Sequence, residues 1–398
     1  MIKRKIEKIL LTLLAAVAGF TASGAVVEYS PKGVLSFKES TPWGEMTAVF
    51  TYCLANKLFT FSSVSLDGEM VNSGSWSDNI GPFHADGHWV GANHLDSDGE
   101  VTAVAVSLEL ELDGTSLDID EDHSLTGRIL TIRVKNLIGL VKPEPFAWEY
   151  VTYTVAGNSI EVEVEHEYIS YNPVRVYTYY GMQSMFVDER ELLLPGTGLG
   201  SWIPASDRGE LYFKKKEAPE MNLFIESNGS AMQATYLMKE DAGTHEYIND
   251  NDNIFVHSSI GKSYHSLMRI HTVSPGSSSR WHGVYSWFRQ PVKDTFASVE
   301  QNPEVTYGAY ISGVPCLVTA TDDGNITTAP YMRPVEKKFE SDYHVFDKGL
   351  MIPDSGESVS IFDTAGRLLK SGSGLHRIGG GIYIINGLRR KAEKVRVR

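Results

Sequence analysis

The segment from Ser159 to Tyr168, SIEVEVEHEY, puts glutamate at every second position and valine or a ring between. A period of two sends alternate side chains to opposite faces, which an extended strand can satisfy and a helix cannot. The pattern is not local. "GEMTAVFTYCL", "KLFTFSSVSL", "EVTAVAVSLELEL", "RILTIRVKNL", "FAWEYVTYTVAG", "VRVYTYYGM", "ELYFKKK", "MNLFIE" and "MQATYLMKE" repeat it, with turn signals such as "LDGE", "SDGE", "LDGT" and "AGNS" among them. Helical periodicity is nowhere sustained beyond a few turns. So many half-buried strands must form packed sheets or a closed barrel. In a chain of 398 residues, 42% of them hydrophobic, one large antiparallel β-sandwich is the expected body. The fold class is all-β.

Both ends carry a different message. Lys3, Arg4, Lys5 and Lys8 precede an apolar run from Ile9 to Phe20, followed by small residues up to Ala25. That order is the pattern of an export signal cleaved near Ala25, and the run is shorter than the ~20 apolar residues of a spanning helix. No later segment is apolar enough to span a bilayer as a helix. Residues 1–25 are therefore read as a signal peptide and 26–335 as the body. A joint follows at 336–353, around "MIPDSGES", and a small β-unit at 354–398.

In that last unit Val359 and Ile361, Ile382 and Ile384, then Val395 and Val397 alternate as short strands, with turns at "DTAGR" and "SGSG". The succession "VSIFDTAGRLL", "GGGIYIING" and a basic terminal "KVRVR" resembles the C-terminal sorting domain of the type IX (Por) secretion system of Bacteroidota. The resemblance covers only residues from about 350 to 398. It implies a small β-sandwich recognised by the type IX machinery, and a product that is secreted or attached to the outer cell surface. About the body it says nothing.

Of the formal net charge of -14, residues 1–25 carry +3 and 354–398 carry +5, so the body carries -22. Such a surface repels nucleic acid and anionic lipid, and an acidic polysaccharide would need a locally basic groove. No P-loop, GxGxxG opening a helix, HExxH or GxSxG occurs, which argues against nucleotide, flavin and zincin chemistries. Cys53 and Cys316 are the only cysteines; they form either one bridge or two buried thiols.

Three stretches concentrate chemistry. The first, "SDNIGPFHADGHWVGANH" (77–94), is broken by Gly81, Pro82, Gly87 and Gly91 and reads as a long loop. It displays Asp78, Asn79, His84, Asp86, His88, Trp89, Asn93 and His94: donors, acceptors, imidazoles and an indole, the mixture that a sugar's apolar face and hydroxyls require. The second is the hairpin carrying His166, Arg175, Tyr177, Tyr179 and Tyr180. The third, "GKSYHSLMRIHTVSPGSSSRWHGVYSWFR", carries Tyr264, His265, Arg269 and His271, then an aromatic strip of Trp281, Tyr285 and Trp287.

Metals fit less well. His84, His88 and His94 match no standard zinc spacing, so no cofactor is expected there; "INDNDN" (248–253) and "DSDGE" (96–100) carry oxygen ligands of the kind calcium takes.

The leading expectation is a secreted carbohydrate-active protein. If it is an enzyme, its residue types suit β-elimination on a uronic-acid polysaccharide. His94 or His166 would act as base, Tyr180 as acid, and Arg269 would stabilise the carboxylate. Asn79, His84, His88, Trp89, Asn93, Arg175, Trp281 and Tyr285 would line the binding surface. The alternative is a non-catalytic glycan-binding or structural cell-surface protein built on the same residues.

Overall fold

The computed structural model describes residues 24–73, 79–139 and 144–185, the segments 191–193, 203–204, 210–214, 222–228, 231–240, 252–257, 262–289, 304–321 and 325–331, and tail strands between 344 and 397. Every regular element among the described residues is a β-strand. The chain divides into two compact units, one over 19–331 and one that contains 332–398.

In the larger unit a six-stranded antiparallel sheet has the order His123–Gly127, Ala25–Ser30, Val34–Thr41, Gly44–Tyr52, Phe59–Leu66, Glu69–Ser73. The first of its strands in sequence begins at Ala25, where cleavage of the leader is expected. Opposite lies a ten-stranded sheet whose centre runs Ala231–Glu240, Ser278–Arg289, Ser159–Tyr168, Pro145–Ala156, Leu130–Gly139, Ala103–Leu112. The two inner faces meet in one apolar core. Phe61 sets its edge against Tyr153, Tyr285 and Trp287, with ring centroids 6.2, 5.2 and 6.2 Å apart, and Tyr153 donates to Thr60 Oγ1 at 3.1 Å. Each such fully buried ring contributes roughly 1.5–3 kcal/mol over exposure. This is the sandwich that the alternation demanded.

A third layer covers part of the outer face of the large sheet. The strands Glu304–Ile311, Val314–Thr321 and Ile326–Pro330 form a three-stranded sheet. They bury Val305, Tyr307 and Val318 against Leu223, Met232 and Phe288.

A further four-stranded sheet, ordered Met268–Val273, Val174–Tyr179, Phe83–Ala85, His88–Val90, closes one end of the sandwich. Here the expectation of an irregular loop over 77–94 is corrected. Phe83–Ala85 and His88–Val90 pair as a hairpin, Phe83 opposite Val90 and His84 opposite Trp89. Asp86 and Gly87 turn it with φ of 45° and 88°, the two positive values that a tight type I′ turn requires. Beneath this sheet Phe83 stacks on Tyr179 at 4.0 Å, and both rings meet Phe146 or His166 of the large sheet edge-on.

The smaller unit contains two sheets, His344–Phe346, Gly349–Ile352, Gly374–Arg377 and Leu368–Ser371, Val359–Asp363, Gly381–Gly387, Arg390–Val397. All three alternating pairs named from the sequence fall in strands. The joint expected at 336–353 is not wholly a linker, because Gly349–Ile352 pairs with Gly374–Arg377 and so belongs to this unit. Cys53 and Cys316 are both buried free thiols, which decides between the two readings of the pair.

Candidate functional site

The hairpin, the strand Val174–Tyr179 and the turn after it bring six of the residues singled out above to one exposed surface. His84 stacks on Trp89 with centroids 4.8 Å apart and planes 15° from parallel. Tyr180 and His94 lie nearly parallel to the same indole at 5.9 and 5.7 Å. On the other side His84 leans on Tyr177 at 5.3 Å, and the Arg175 guanidinium covers Tyr177 at 5.2 Å. Tyr264, itself buried, backs Tyr180 with ring centroids 4.5 Å apart. The ladder stays accessible: Trp89 is 36% exposed and Tyr177 39%.

Local chemistry explains the placement. Residues 174–176 alternate inward, outward, inward, so Val174 and Val176 enter the core while Arg175 and Tyr177 face water. Asp86 fastens the hairpin turn to this strand, its Oδ1 accepting from the Arg175 N–H at 3.0 Å and its own N–H donating to the Arg175 carbonyl at 2.9 Å. His94 is set by Asn56, a buried residue not picked out from the sequence. The Asn56 amide donates to the carbonyls of Ala92 and His94, both at 2.9 Å, and its oxygen accepts from the Thr102 N–H at 2.9 Å. Tyr180 is placed by the crossing at Gly81, whose N–H donates to the Gly181 carbonyl at 2.7 Å. A Cβ at position 81 would stand 2.3 Å from Gln183 Nε2 and 2.9 Å from the Tyr180 backbone, so only glycine fits.

Arg269, expected at the site, lies instead on the opposite side of this sheet from Arg175 and Tyr177: it stands across from the buried Thr178, whose hydroxyl accepts from its Nη1 at 3.1 Å. Next to it Ile270 holds a φ of +51°. For a β-branched residue that conformation costs on the order of 1–3 kcal/mol. Burial pulls the imidazole of His271, on the same strand, below its ordinary value, which keeps it neutral.

Other expected residues lie elsewhere. His166, at 0% exposure, is a core residue rather than part of this surface. Its Nε2 lies 3.1 Å from Glu149 Oε2, and Asn136 donates to the other carboxylate oxygen at 2.9 Å. Trp281 and Tyr285 are also corrected to the core: the indole N–H of Trp281 donates to Tyr179 Oη at 2.8 Å, and Tyr285 donates to the Asn79 carbonyl at 2.7 Å. Burial, then the Glu149 carboxylate, holds the Tyr179 phenol well above the usual tyrosine value, so it stays un-ionised. Asn79 is buried and donates to the Phe61 carbonyl at 2.9 Å, a framework role. Asn93 accepts from the Ala55 N–H at 2.7 Å, which fixes the loop. His88 is exposed at the turn end of the hairpin.

Asp96 spends its Oδ1 on the N–H groups of Asp98 and Glu100, at 2.9 and 2.8 Å, closing its own turn. Asp78 and most of 248–253 lie outside the described residues. Glu149 had a legible signal: it shares the inward parity of Ala147, Val151 and Tyr153, where a carboxylate must find a partner.

No protein-family model and no curated protein matches the sequence. Among solved structures, the galactosidase domain of alpha-galactosidase-sucrose kinase AgaSK is similar at a TM-score of 0.42 and 8% identity, over 67% of this chain and 42% of that one. The GH36 alpha-galactosidase AgaB from Geobacillus stearothermophilus is similar at 0.42 and 12%, over 67% and 41%. For the alpha-galactosidase from Lactobacillus brevis the values are 0.40 and 9%, over 64% and 40%. The chain thus spans about two fifths of the length of these proteins, at 42%, 41% and 40%.

Proposed function

We propose that this is an exported glycan-binding protein whose contact surface is the ring ladder of Tyr177, His84, Trp89 and Tyr180, edged by Arg175 and His94. The observation that carries the reading is the convergence of these side chains on one accessible surface. Sugar rings stack their apolar faces on aromatic surface, and imidazole and guanidinium groups supply directional donors for hydroxyls. The Arg175 guanidinium also gives this face a fixed positive charge on a body that is otherwise strongly acidic. That favours a glycan bearing carboxylates, which arginine holds in a bidentate fork.

Export through the inner membrane by the leader and through the outer membrane by the type IX route fits a glycan met outside the cell. The tail sequence supports it, and fusion of residues 354–398 to an inert reporter tests it: surface or medium localisation in a type IX-competent host, lost in a secretion-defective one.

The test of the glycan reading is affinity for a polysaccharide panel with the wild type and Trp89→Ala. Binding of a uronic-acid polymer that Trp89→Ala weakens by about tenfold or more supports it; equal binding by both proteins sinks it.

A second reading, β-elimination, draws on His94 and Tyr180 flanking the same indole. A neutral imidazole removes the proton next to the carboxylate and a phenol protonates the departing oxygen. His166 is too deeply enclosed for that work, so His94 is the base in this scheme. An unsaturated product that absorbs in the ultraviolet, absent in His94→Ala while binding persists, supports it. Absence of any such product across the panel leaves the protein a binder.

A further inference from the structure

The outer face of the ten-stranded sheet carries the glutamate row with which the sequence analysis began, and the strand register shows how little neutralises it. On one side Glu161, Glu163, Glu165 and Glu167 stand opposite Thr154, Thr152, Tyr150 and Trp148. On the other they stand opposite Val284, His282, Arg280 and Ser278. Two basic side chains therefore flank four carboxylates, and of these only His282 lies at the Glu161 end. Carboxylates at alternate positions of one strand share a face and repel along it unless a cation lies between them.

At that end the groups converge. One ligand atom each from Glu161, Glu163 and His282 lies within 4.8 Å of the others. His282 Nε2 is 2.6 Å from Glu161 Oε1. Glu161 is only 5% exposed, and its second oxygen accepts from the Ser312 N–H, in the turn between two strands of the three-stranded sheet. That backbone bond fixes the carboxylate from outside, as second-layer contacts do around metal ligands. Glu163 is exposed, so the group opens to solvent on one side. The buried thiol of Cys316 is not among the converging donor atoms.

We propose that Glu161, Glu163 and His282 form a site for one divalent transition-metal ion of the zinc class. Two carboxylates and an imidazole on a preformed sheet are the donor set such an ion takes, with a fourth position left to water. All-oxygen coordination, which calcium prefers, is not what this site offers. Bonds of roughly 2.0–2.1 Å in a tetrahedron put neighbouring ligand atoms about 3.3 Å apart. The His282 to Glu161 contact must therefore widen by roughly 0.7 Å. Any proton held between those two atoms leaves as the ion enters. This inference is independent of the glycan reading.

Calorimetric titration of the chelator-treated full chain with zinc chloride tests it. The expected result is one equivalent of zinc bound with proton release and a raised unfolding temperature. Glu163→Gln and His282→Asn each weaken that binding by about tenfold or more, while Glu165→Gln keeps it. Glu163 is exposed, so its variant decides the matter even if His282→Asn folds poorly. Failure of the wild type to take zinc overturns the proposal, as does wild-type affinity in Glu163→Gln. So does an equivalent that survives Glu163→Gln but vanishes in His88→Ala, which would put the ion on the hairpin.

Discussion

His84 lies flat against Trp89, ring centroids 4.8 Å apart and planes 15° from parallel, because the two residues stand directly opposite each other in a hairpin turned by Asp86 and Gly87. Pairing in the strands thus converts two side chains five residues apart in sequence into one flat surface. An aromatic pair of this kind contributes about 0.5–1.5 kcal/mol beyond its buried area.

Replacing His84 by alanine is accordingly expected to lower stability by about 0.5–1.5 kcal/mol while reducing glycan affinity much more. Urea unfolding and affinity electrophoresis on the same samples separate the two effects. A fall in both by the same free energy would mean that the residue only supports the fold.

Gly87, at φ +88°, touches no ring, yet it sets the hairpin. Gly87→Val forces a β-branched residue into a left-handed conformation at a cost of roughly 1–3 kcal/mol. The expected outcome is weaker glycan binding together with faster amide exchange over residues 83–90. Unchanged exchange would show that the turn tolerates the substitution.

Breaking the interior pair is expected to act on stability alone. Glu149 and His166 are both buried and meet at 3.1 Å. Glu149→Ala leaves the buried imidazole without its hydrogen-bond partner, and an unsatisfied buried polar group costs roughly 1–3 kcal/mol. A denaturant midpoint equal to that of the wild type would contradict this placement.

The buried tyrosines give a pH dependence of definite sign. Burial raises the phenols of Tyr153, Tyr168, Tyr179, Tyr285 and Tyr307 above the ordinary value of 10.0. Their folded-state values exceed the unfolded ones, so above pH 10.0 the unfolded chain loses protons that the native state retains. The stability they contribute is fully present below that pH and is lost as pH rises further. Alkaline titration should show these five phenols ionising only as circular dichroism reports unfolding. Their ionisation in a protein that is still folded would refute the assignment.

Both thiols are buried and unbridged. A thiol reagent should label neither Cys53 nor Cys316 in the native protein and both after denaturation without reductant. A single denatured, unreduced chain that takes no label would show a bridge.

The sequence by itself determined the all-β class and the inward and outward parity of most strands, because a period of two is a property of the extended backbone that needs no partner. It also marked Trp89, His84, His94, Tyr180, Arg175 and Arg269 as groups with chemistry to offer. The Asp86-Gly87 dipeptide is a hairpin signal that the loop reading of 77–94 passed over, since the runs on either side are only three residues long. Tertiary structure decided which chemistry-bearing residues are exposed. His166, Trp281 and Tyr285 sit at the same parity as Val162 and Val164, and whether that face meets water or a second sheet depends on what packs over it. Strand register decided the rest. Glu163 meets His282, and His84 meets Trp89, through hydrogen-bonded pairing between chain segments whose alignment no local pattern encodes.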